Sequence, residues 1–260
     1  METLDRIMRQ VKANTKHSTS RNSKADYNCT KCRDTTWIET ENGMRRCSCY
    51  EKSISFRRWE RFGVNPQKVK SIKSYQDYNE VTKKAKSLAI NYIQNFQAIK
   101  HEEENGLAFL GQPGSGKSHL VIGIGANFIK GVICPNVIYM PYLEAMKELK
   151  CAQFESDEYF RLLNKYTKAD LLIIDDLFKD KVKNRELREN AELTEADTRC
   201  ILPIINQRYI NNKPTIYSSE CTPNMLLDID EALAGRILER SNVVVFKYGL
   251  ENNYRMRKFK

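Results

Sequence analysis

The segment from Gly111 to Ser118, GQPGSGKS, constrains the fold of this chain more than any other stretch. It matches the pattern G-x-x-x-x-G-K-S, whose glycines let successive backbone N–H groups turn toward phosphate oxygens. In such a loop Lys117 reaches the β- and γ-phosphates, and the Ser118 hydroxyl binds Mg²⁺. An apolar run at 107–110 precedes the loop and a helical apolar pattern follows it. We therefore predict a strand, a phosphate-binding loop and a helix, because a chance glycine-rich turn would lack these neighbours.

The composition is that of an ordinary globular protein. Of 260 residues, 41% are hydrophobic and 29% are charged, which suits one large domain or a medium domain with a small module. No apolar run approaches the roughly 20 residues that cross a bilayer, and the N-terminal residues lack the apolar core of a signal peptide. We expect a cytoplasmic protein that does not contact membranes, and in that compartment structural disulfides are disfavoured.

The net charge of +10 is unevenly distributed along the chain. Residues 1–100 contain 21 Lys and Arg against 10 Asp and Glu, whereas residues 101–260 contain 22 against 23. Such a basic region could bind nucleic acid or an acidic protein surface, and it could equally serve only to keep the protein soluble. The sequence leaves these alternatives open.

Short apolar runs alternate with helical patterns from about residue 105 onward. The predicted strands are 107–110, 137–140, 171–174, 214–218 and 243–247, and the predicted helices lie near 117–130, 142–150, 156–167, 194–211 and 230–240. Because the strands lack polar alternation, we predict an α/β fold with a mostly parallel sheet and helices on both faces. The predicted domains are a flexible segment at 1–25, a cysteine-rich module at 26–52, a helical linker and lead-in at 53–100, and a nucleotide-binding domain at 101–260.

The apolar run 171–174 ends in two carboxylates, Asp175 and Asp176. A phosphate-binding fold needs a carboxylate beside Mg²⁺ at the end of a neighbouring strand, and Asp175 fits that role. Asp176 could position or activate the attacking water. Alone, such a run more often ends in a solvated turn, but its position after the phosphate loop in an alternating chain favours a metal site.

Polar and cationic residues follow later in the chain. Ser218, Ser219 and Glu220 end another predicted strand, and parallel strands would place them at the same edge as the phosphate loop. Arg236 and Arg240 lie four residues apart, hence on one face of a predicted helix. An arginine that reaches a neighbour's γ-phosphate would neutralise charge that develops during phosphoryl transfer, although a solvated helix face is the alternative.

Four cysteines are paired within 21 residues, as C-x-x-C at Cys29 and Cys32 and as C-x-C at Cys47 and Cys49. Two such knuckles can hold one tetrahedral Zn²⁺ with four thiolates. We predict a strand, a turn and a return strand between them. A segment this small has little core of its own, so metal binding would supply folding energy. Incidental thiols and a redox pair are the alternatives. The remaining cysteines are scattered and are expected to be small core residues.

The order of these features resembles the AAA+ ATPases of the DnaC/DnaI helicase-loader family, which is also related to IstB-type ATPases. The resemblance covers roughly residues 70–258, and the cysteine region resembles the zinc-binding N-terminal domain of DnaI-type members. Besides the phosphate loop and the Asp175–Asp176 pair, it rests on the segments 73–79, 202–209, 213–218, 230–236 and 253–255.

This resemblance implies a five-stranded P-loop AAA+ core without a helical lid, with ATP, magnesium and zinc as cofactors. The implied catalytic residues are Lys117, Asp175, Asp176 and Arg236. The implied nucleotide-binding residues are Gly111, Gly114, Ser115, Gly116, Lys117, Ser118, His119, Ser219 and Arg255, and the implied magnesium ligands are Ser118 and Asp175.

Some of these residues depart from the family pattern. Asp176 stands where many AAA+ members carry the longer Glu, which predicts slow turnover. Glu220 stands where the family often has Asn, which makes Ser219 the candidate first sensor. Arg236 is expected to act in trans on a neighbour's nucleotide, and Arg255 in cis.

The resemblance further implies an ATP-dependent loader of the replicative hexameric helicase in the initiation of DNA replication. Single-stranded DNA and further copies of the chain, joined through Arg236, would be additional partners. The alternatives are an IstB-type transposition helper ATPase, a zinc-dependent nucleic-acid-binding protein with a degenerate ATPase domain, and a small-molecule kinase. Intact Lys117, Ser118 and Asp175 argue against the degenerate domain. Arg236 and the missing kinase lid argue against the kinase.

Overall fold

The computed structural model describes residues 27–131 and 134–259, with side chains up to residue 256. The predicted flexible segment 1–25 lies outside the described residues. The chain divides into two compact units, Met1–Ser53 and Ile54–Lys260. Within the described ranges, no helix combines the length and the apolar character that crossing a membrane would require.

The first unit contains a β-hairpin. Strands β1 (Trp37–Thr40) and β2 (Gly43–Arg46) pair antiparallel, with Trp37 opposite Arg46 and Thr40 opposite Gly43. Gly43 has a φ of 107° at the turn, a conformation that L side chains rarely adopt. The structure thus contains the strand, turn and return strand predicted between the cysteine pairs. Helix α1 (Ser48–Phe62) follows and contains the boundary between the units.

The second unit is an alternating α/β structure. Its further helices are α2 (Glu80–Ile99), α3 (Lys117–Lys130), α4 (Tyr142–Ala152), α5 (Ser156–Thr167), α6 (Glu195–Ile210), α7 (Pro223–Ile229) and α8 (Glu231–Glu239). Its strands are β3 (Gly106–Gly111), β4 (Val137–Pro141), β5 (Leu171–Leu177), β6 (Val182–Lys183), β7 (Glu186–Leu187), β8 (Thr215–Ser219) and β9 (Ser241–Phe246). Single 3₁₀ turns lie at Pro66–Lys68, Ile72–Ser74, Lys179–Lys181 and Leu250–Asn252, and a longer one at Tyr254–Phe259.

Five of these strands form one parallel sheet in the order β4-β5-β8-β3-β9. The predicted sheet is therefore confirmed, and within it all neighbouring strands are parallel. Parallel strands place their carboxyl ends at one edge, where ligands of open α/β sheets bind. In this order β8 lies between β5 and β3. The end of β8 is therefore next to the end of β5 on one side and next to the end of β3, which leads into the phosphate loop, on the other.

Helices cover both faces of the sheet, as predicted. Along β3, Leu107 and Phe109 belong to one core with residues of α1, α2 and α3, whereas Ala108 and Leu110 belong to the other core with residues of α4 to α8. This alternation follows from the two-residue period of a strand. Residues 54–100, which we predicted as a linker and lead-in, pack in the same unit as the sheet.

The structure differs from the predicted elements in three places. Strand β5 runs on to Leu177 through both carboxylates, with an irregular register against β8 between Ile174 and Leu177. The short hairpin β6–β7 and helix α7 were not predicted, because two-residue strands and a seven-residue helix are too short to establish a hydrophobic period.

A buried cation fixes the amino edge of the sheet. The Arg208 guanidinium, on α6, donates to Thr215 Oγ1 and to the carbonyl oxygens of Tyr166, Ala169 and Pro214 at 2.6–2.9 Å. Burial lowers the pKa of Arg208 to about 10, which still leaves it charged at neutral pH. The ends of α5 and the starts of β5 and β8 are thereby tied to α6.

Candidate functional site

Gly111 and Gly114 of the phosphate loop need to be glycine for both conformation and space. Gly111 and Gly114 have φ angles of 97° and 77°. A Cβ atom at Gly111 would overlap the carbonyl oxygen of Phe246, and one at Gly114 would overlap the Asn253 side chain. The loop backbone is thus held against the end of β9 and the segment after it.

Helix α3 begins at Lys117, directly after the loop. Its N-cap is Gly116, which adopts a left-handed conformation and provides no side-chain cap. The first N–H groups of a helix have no partner within the helix, and the helix dipole makes this end positive. The start of α3, where Ser118 lies in the first turn, therefore fits an anionic phosphate.

Lys117 is buried beneath the loop. Its Nζ donates to the carbonyl oxygens of Gly111 and Gln112, both at 2.8 Å. Burial lowers the pKa of Lys117 to about 8, an effect opposed by the carboxylates of Glu220, Asp176 and Asp175. Since 8 lies above neutral pH, the ammonium remains mostly charged and fits the predicted phosphate contact.

Asp175 is held on both sides by hydroxyl groups. Tyr139 on β4 donates its OH to Asp175 Oδ2 at 2.8 Å, and Ser218 on β8 donates its Oγ–H to Asp175 Oδ1. Asp175 is only 5% exposed, so its orientation is fixed by these partners. A carboxylate fixed at the strand edge beside Lys117 is the oxygen donor that Mg²⁺ prefers, and the assignment of Asp175 and Ser118 as magnesium ligands stays a prediction.

Asp176 lies in a different environment. Its φ is 56°, a left-handed conformation, and its N–H donates to Ser218 Oγ at 3.0 Å. Burial, followed by the charge of Asp175, raises the pKa of Asp176. A carboxyl group whose pKa is raised toward neutrality is a better proton acceptor at working pH, which suits the predicted contact with water.

The two serines of β8 have different surroundings. Ser218 links Asp175 and Asp176, whereas the buried Ser219 donates its Oγ–H to the Leu177 carbonyl at 2.6 Å and accepts from the Cys221 N–H at 3.0 Å. The structure therefore brings Ser218 to the acidic pair and not Ser219. The sensor role of Ser219 stays a prediction.

The segment before α2 packs against the phosphate loop. His119 Nε2 lies 2.8 Å from the Ser71 carbonyl, and its ring meets the Tyr75 ring edge-on at 5.5 Å. Tyr75 donates its OH to the Ser115 carbonyl at 3.0 Å. His119 thus joins the loop to the lead-in segment, and direct contact of His119 with a nucleotide stays a prediction.

A cleft of about 330 Å³ opens beside this contact. Its lining includes Ser74, Tyr75, Tyr78, Ser115, His119 and Tyr254. The Tyr78 and Tyr254 rings are stacked, with 6.1 Å between their centroids and an angle of 28° between their planes. A partly aromatic cleft of this size next to a phosphate loop can accept the nucleoside part of a nucleotide.

The residues after β9 reach back to the loop. The Tyr254 N–H donates to the Gly114 carbonyl at 3.0 Å, and the Asn253 side chain lies against Gly114. Arg255, which follows, is exposed. The structure thus places Arg255 next in sequence to a loop contact, and its cis contact with nucleotide stays a prediction.

Arg236 lies at the opposite edge of the sheet. It is half-buried, donates to the Ala232 carbonyl at 2.9 Å, and places its guanidinium 5.9 Å from the Tyr209 ring. It lines a small pocket with Asn105 and Gly106, where β3 begins. The five residue-to-residue steps of β3, at about 3.3 Å each, separate this edge from the phosphate loop by roughly 16 Å. Arg236 is therefore remote from the phosphate loop of its own chain.

The four N-terminal cysteines form a compact cluster in the first unit. Their Sγ atoms all lie within 4.8 Å of one another, with 3.7 Å between Cys29 and Cys47 and 3.3 Å between Cys32 and Cys49. Tetrahedral zinc with Zn–S bonds of about 2.3 Å requires sulfur separations of about 3.8 Å. The cluster therefore fits a zinc ion.

The backbone around Cys29 is shaped for this cluster. Arg33 and Asp34 have φ angles of 49° and 65°, and the Asp34 carboxylate accepts from the Cys29 N–H at 2.8 Å. The backbone N–H of Cys32 lowers the pKa of Cys29 to about 7, against the opposing effect of burial. The pKa of Cys49 is raised instead, mainly by its hydrogen bond with the Cys32 thiol, so the two pKa shifts oppose each other and the sulfur geometry is what supports a metal. Of the remaining cysteines, all in the second unit, Cys200 and Cys221 are buried in the core as expected. Cys134 is only partly buried and Cys151 is exposed on α4, so the expectation of a core position is wrong for Cys151.

Residues 50–258 match the family described as IstB-like ATP binding protein. The chain belongs to this family. Two relatives of this IstB-like protein come from Bacillus subtilis (strain 168). The uncharacterized protein YqaM is 34% identical over 226 residues, which cover 84% of this chain and 68% of YqaM. The phage-like element PBSX protein XkdC is 30% identical over 256 residues, which cover 88% of this chain and 86% of XkdC.

Solved structures share the fold of the IstB-like chain. The DnaC helicase loader is 21% identical with a TM-score of 0.55, covering 74% of this chain and 99% of that one. DnaI is 20% identical with a TM-score of 0.54, and the match covers 67% of this chain and 89% of the DnaI chain. AMPPCP-bound DnaA from Aquifex aeolicus is 18% identical with a TM-score of 0.56, and the match covers 75% of this chain and 56% of the DnaA chain. The predicted AAA+ fold and the family resemblance are confirmed, and ATP binding is a property of the family.

Proposed function

We propose that this IstB-like protein is an ATP-dependent loader of the replicative hexameric helicase. The observation that carries the proposal is the combination, in one chain, of a four-thiolate cluster with a DnaC-like ATPase unit whose phosphate-site residues are intact. A zinc module favours loading, because transposition helper ATPases usually carry a different N-terminal region. ATP hydrolysis would then act as an assembly switch.

In this proposal the chain's own residues bind and orient Mg²⁺-ATP. Lys117 and the start of α3 hold the phosphates, while Ser118 and Asp175 hold Mg²⁺. The metal neutralises phosphate charge when bound. Tyr139 and Ser218 keep Asp175 in place, and Asp176 orients the attacking water. Since Asp is one methylene shorter than Glu, we expect slow turnover.

Arg236 provides a test of assembly. We expect Arg236→Ala to change ATP affinity of the single protomer less than about twofold, and to slow hydrolysis in the assembled state at least about tenfold, because the arginine would stabilise transition-state charge on a neighbour's nucleotide. Nucleotide titration at low protein concentration and steady-state ATPase measurements at high concentration separate the two effects. Arg199→Ala, on the exposed side of α6, is the control. Weaker ATP binding by the single protomer would show that the trans role is wrong.

The partner-binding parts of the proposal concern the first unit and the basic region. We propose that the cysteine module and the basic residues within 1–100 contact the helicase, and that single-stranded DNA crosses the ATPase unit. Structures similar in fold include one named as a helicase loader and a DnaA bound to single-stranded DNA. Helicase loading and single-stranded DNA binding are stated for those proteins, and their similarity in fold supports the proposal for this chain.

The decisive experiment is co-purification with the replicative hexamer of the same host, with and without ATP. We expect an ATP-sensitive complex with wild-type protein. The second candidate, an IstB-type transposition helper, is favoured by the family match itself. Capture of a transposase, with no capture of helicase, would replace the first candidate with the second.

A further inference from the structure

An ion pair at the nucleotide edge of the sheet has no part in the function proposed above. Lys179 Nζ donates to Glu220 Oε1. Glu220 follows Ser219, which lies opposite Leu110 on one side and Leu177 on the other. Leu110 directly precedes Gly111, the first residue of the phosphate loop, and Lys179 comes two residues after Leu177. The charges of Lys179 and Glu220 therefore lie between the start of the phosphate loop and the end of β5, the strand that carries Asp175 and Asp176.

Glu220 makes this edge unusually acidic. With Asp175 and Asp176 it is the third carboxylate whose charge acts on the Lys117 ammonium. Its side chain is only 14% exposed, so solvent screens it weakly. A triphosphate bound at the loop would bring further negative charge beside Glu220, and this repulsion favours a cation in addition to Lys117 and Mg²⁺.

Lys179 is positioned to be that cation. Its side chain is 37% exposed, and its long flexible stem allows the ammonium to change partner. Phe178, with a φ of 58°, turns the chain between β5 and Lys179. Tyr248 holds the backbone at Glu220, because its OH donates to the Glu220 main-chain carbonyl at 2.8 Å. Lys179 is the more exposed side chain of the pair and has more room to change partner.

We propose that Lys179 is a second phosphate-binding cation of this site, which exchanges Glu220 for the γ-phosphate when ATP occupies loop 111–118. The inference rests on the proposed ATP-dependent function. Lys179 begins the 3₁₀ turn that leads into the β6–β7 hairpin (182–187), so this exchange transmits the presence of a γ-phosphate to the hairpin. ADP, which lacks that group, leaves the Lys179–Glu220 pair in place.

The test compares affinities for a non-hydrolysable ATP analogue and for ADP by calorimetric titration of the full chain. Lys179→Met is expected to weaken analogue binding about tenfold or more while ADP affinity changes less than about twofold, since a charge-assisted contact to the γ-phosphate is lost. Glu220→Gln is expected to strengthen analogue binding a few-fold, because no ion pair must then be broken. Lys183→Met, an exposed lysine of the same hairpin, is the matched control and leaves both affinities unchanged.

Each outcome separates this inference from the proposed function. Unchanged ADP affinity in Lys179→Met shows that the site is folded. If the analogue affinity is then also equal to that of wild type, or if instead both affinities fall in parallel, Lys179 does not bind the γ-phosphate and the inference is overturned. If wild-type protein binds neither nucleotide, the proposed ATP-dependent function fails instead. Lys179→Arg, which keeps the charge, is expected to retain most of the preference for the triphosphate.

Discussion

Replacing Lys117 with alanine is expected to reduce ATP affinity at least about a hundredfold. The ammonium is buried directly beneath the phosphate loop, and charge-assisted contacts to phosphate in a buried site are strong. The variant also leaves the carbonyls of Gly111 and Gln112 without this donor. Titration with a fluorescent ATP analogue measures the loss, and circular dichroism checks that the fold is retained.

Lys130→Ala is the matched control, because Lys130 is an exposed lysine at the other end of the same helix. Its ATP affinity should equal that of wild-type protein. Full ATP affinity in Lys117→Ala would show that the loop at 111–118 does not bind phosphate in the predicted manner.

Removal of zinc is expected to have the second large effect, which is the loss of folded structure in the first unit. The β1–β2 hairpin is short and mostly exposed, so few apolar contacts would hold it without metal. We expect about one equivalent of zinc in freshly purified protein. Chelation or Cys47→Ser should expose residues 27–53 to protease while the second unit stays protected, because Cys47 is fully buried in the cluster.

The control for the metal is Cys151→Ser, which changes an exposed cysteine of the second unit. This variant should keep its zinc and its protease resistance. Metal analysis that finds less than half an equivalent in the wild-type protein would count against a four-thiolate site.

Features set by local sequence could be predicted. The phosphate loop depends on glycines and a lysine within eight residues, and the cysteine cluster depends on two close pairs. The strand that contains Asp175 is recognisable because a buried parallel strand is a continuous apolar run. These patterns predict a mostly parallel α/β sheet and the position of its nucleotide edge, whereas the AAA+ core is implied by the family resemblance.

Contacts between distant strands could not be predicted in this way. The hydroxyl groups of Tyr139 and Ser218 donate to Asp175 because β4 and β8 lie on either side of β5 in the sheet. The Lys179–Glu220 pair depends on the same strand order. From the sequence alone, Glu220 stands out only because the family often has Asn at this position. The structure adds that its carboxylate pairs with Lys179. Strand order is a property of the whole fold, so a pattern within one segment does not contain it.

Control of helicase loading by ATP at loop 111–118, as we propose it, can be measured by the transfer of the hexameric helicase onto closed circular single-stranded DNA. A ring-shaped helicase cannot thread onto a closed circle without being opened or assembled around it. We predict that helicase becomes bound to the circle with wild-type protein and ATP, but not with Lys117→Ala or without the chain. Equal amounts of bound helicase in all three conditions would contradict the claim.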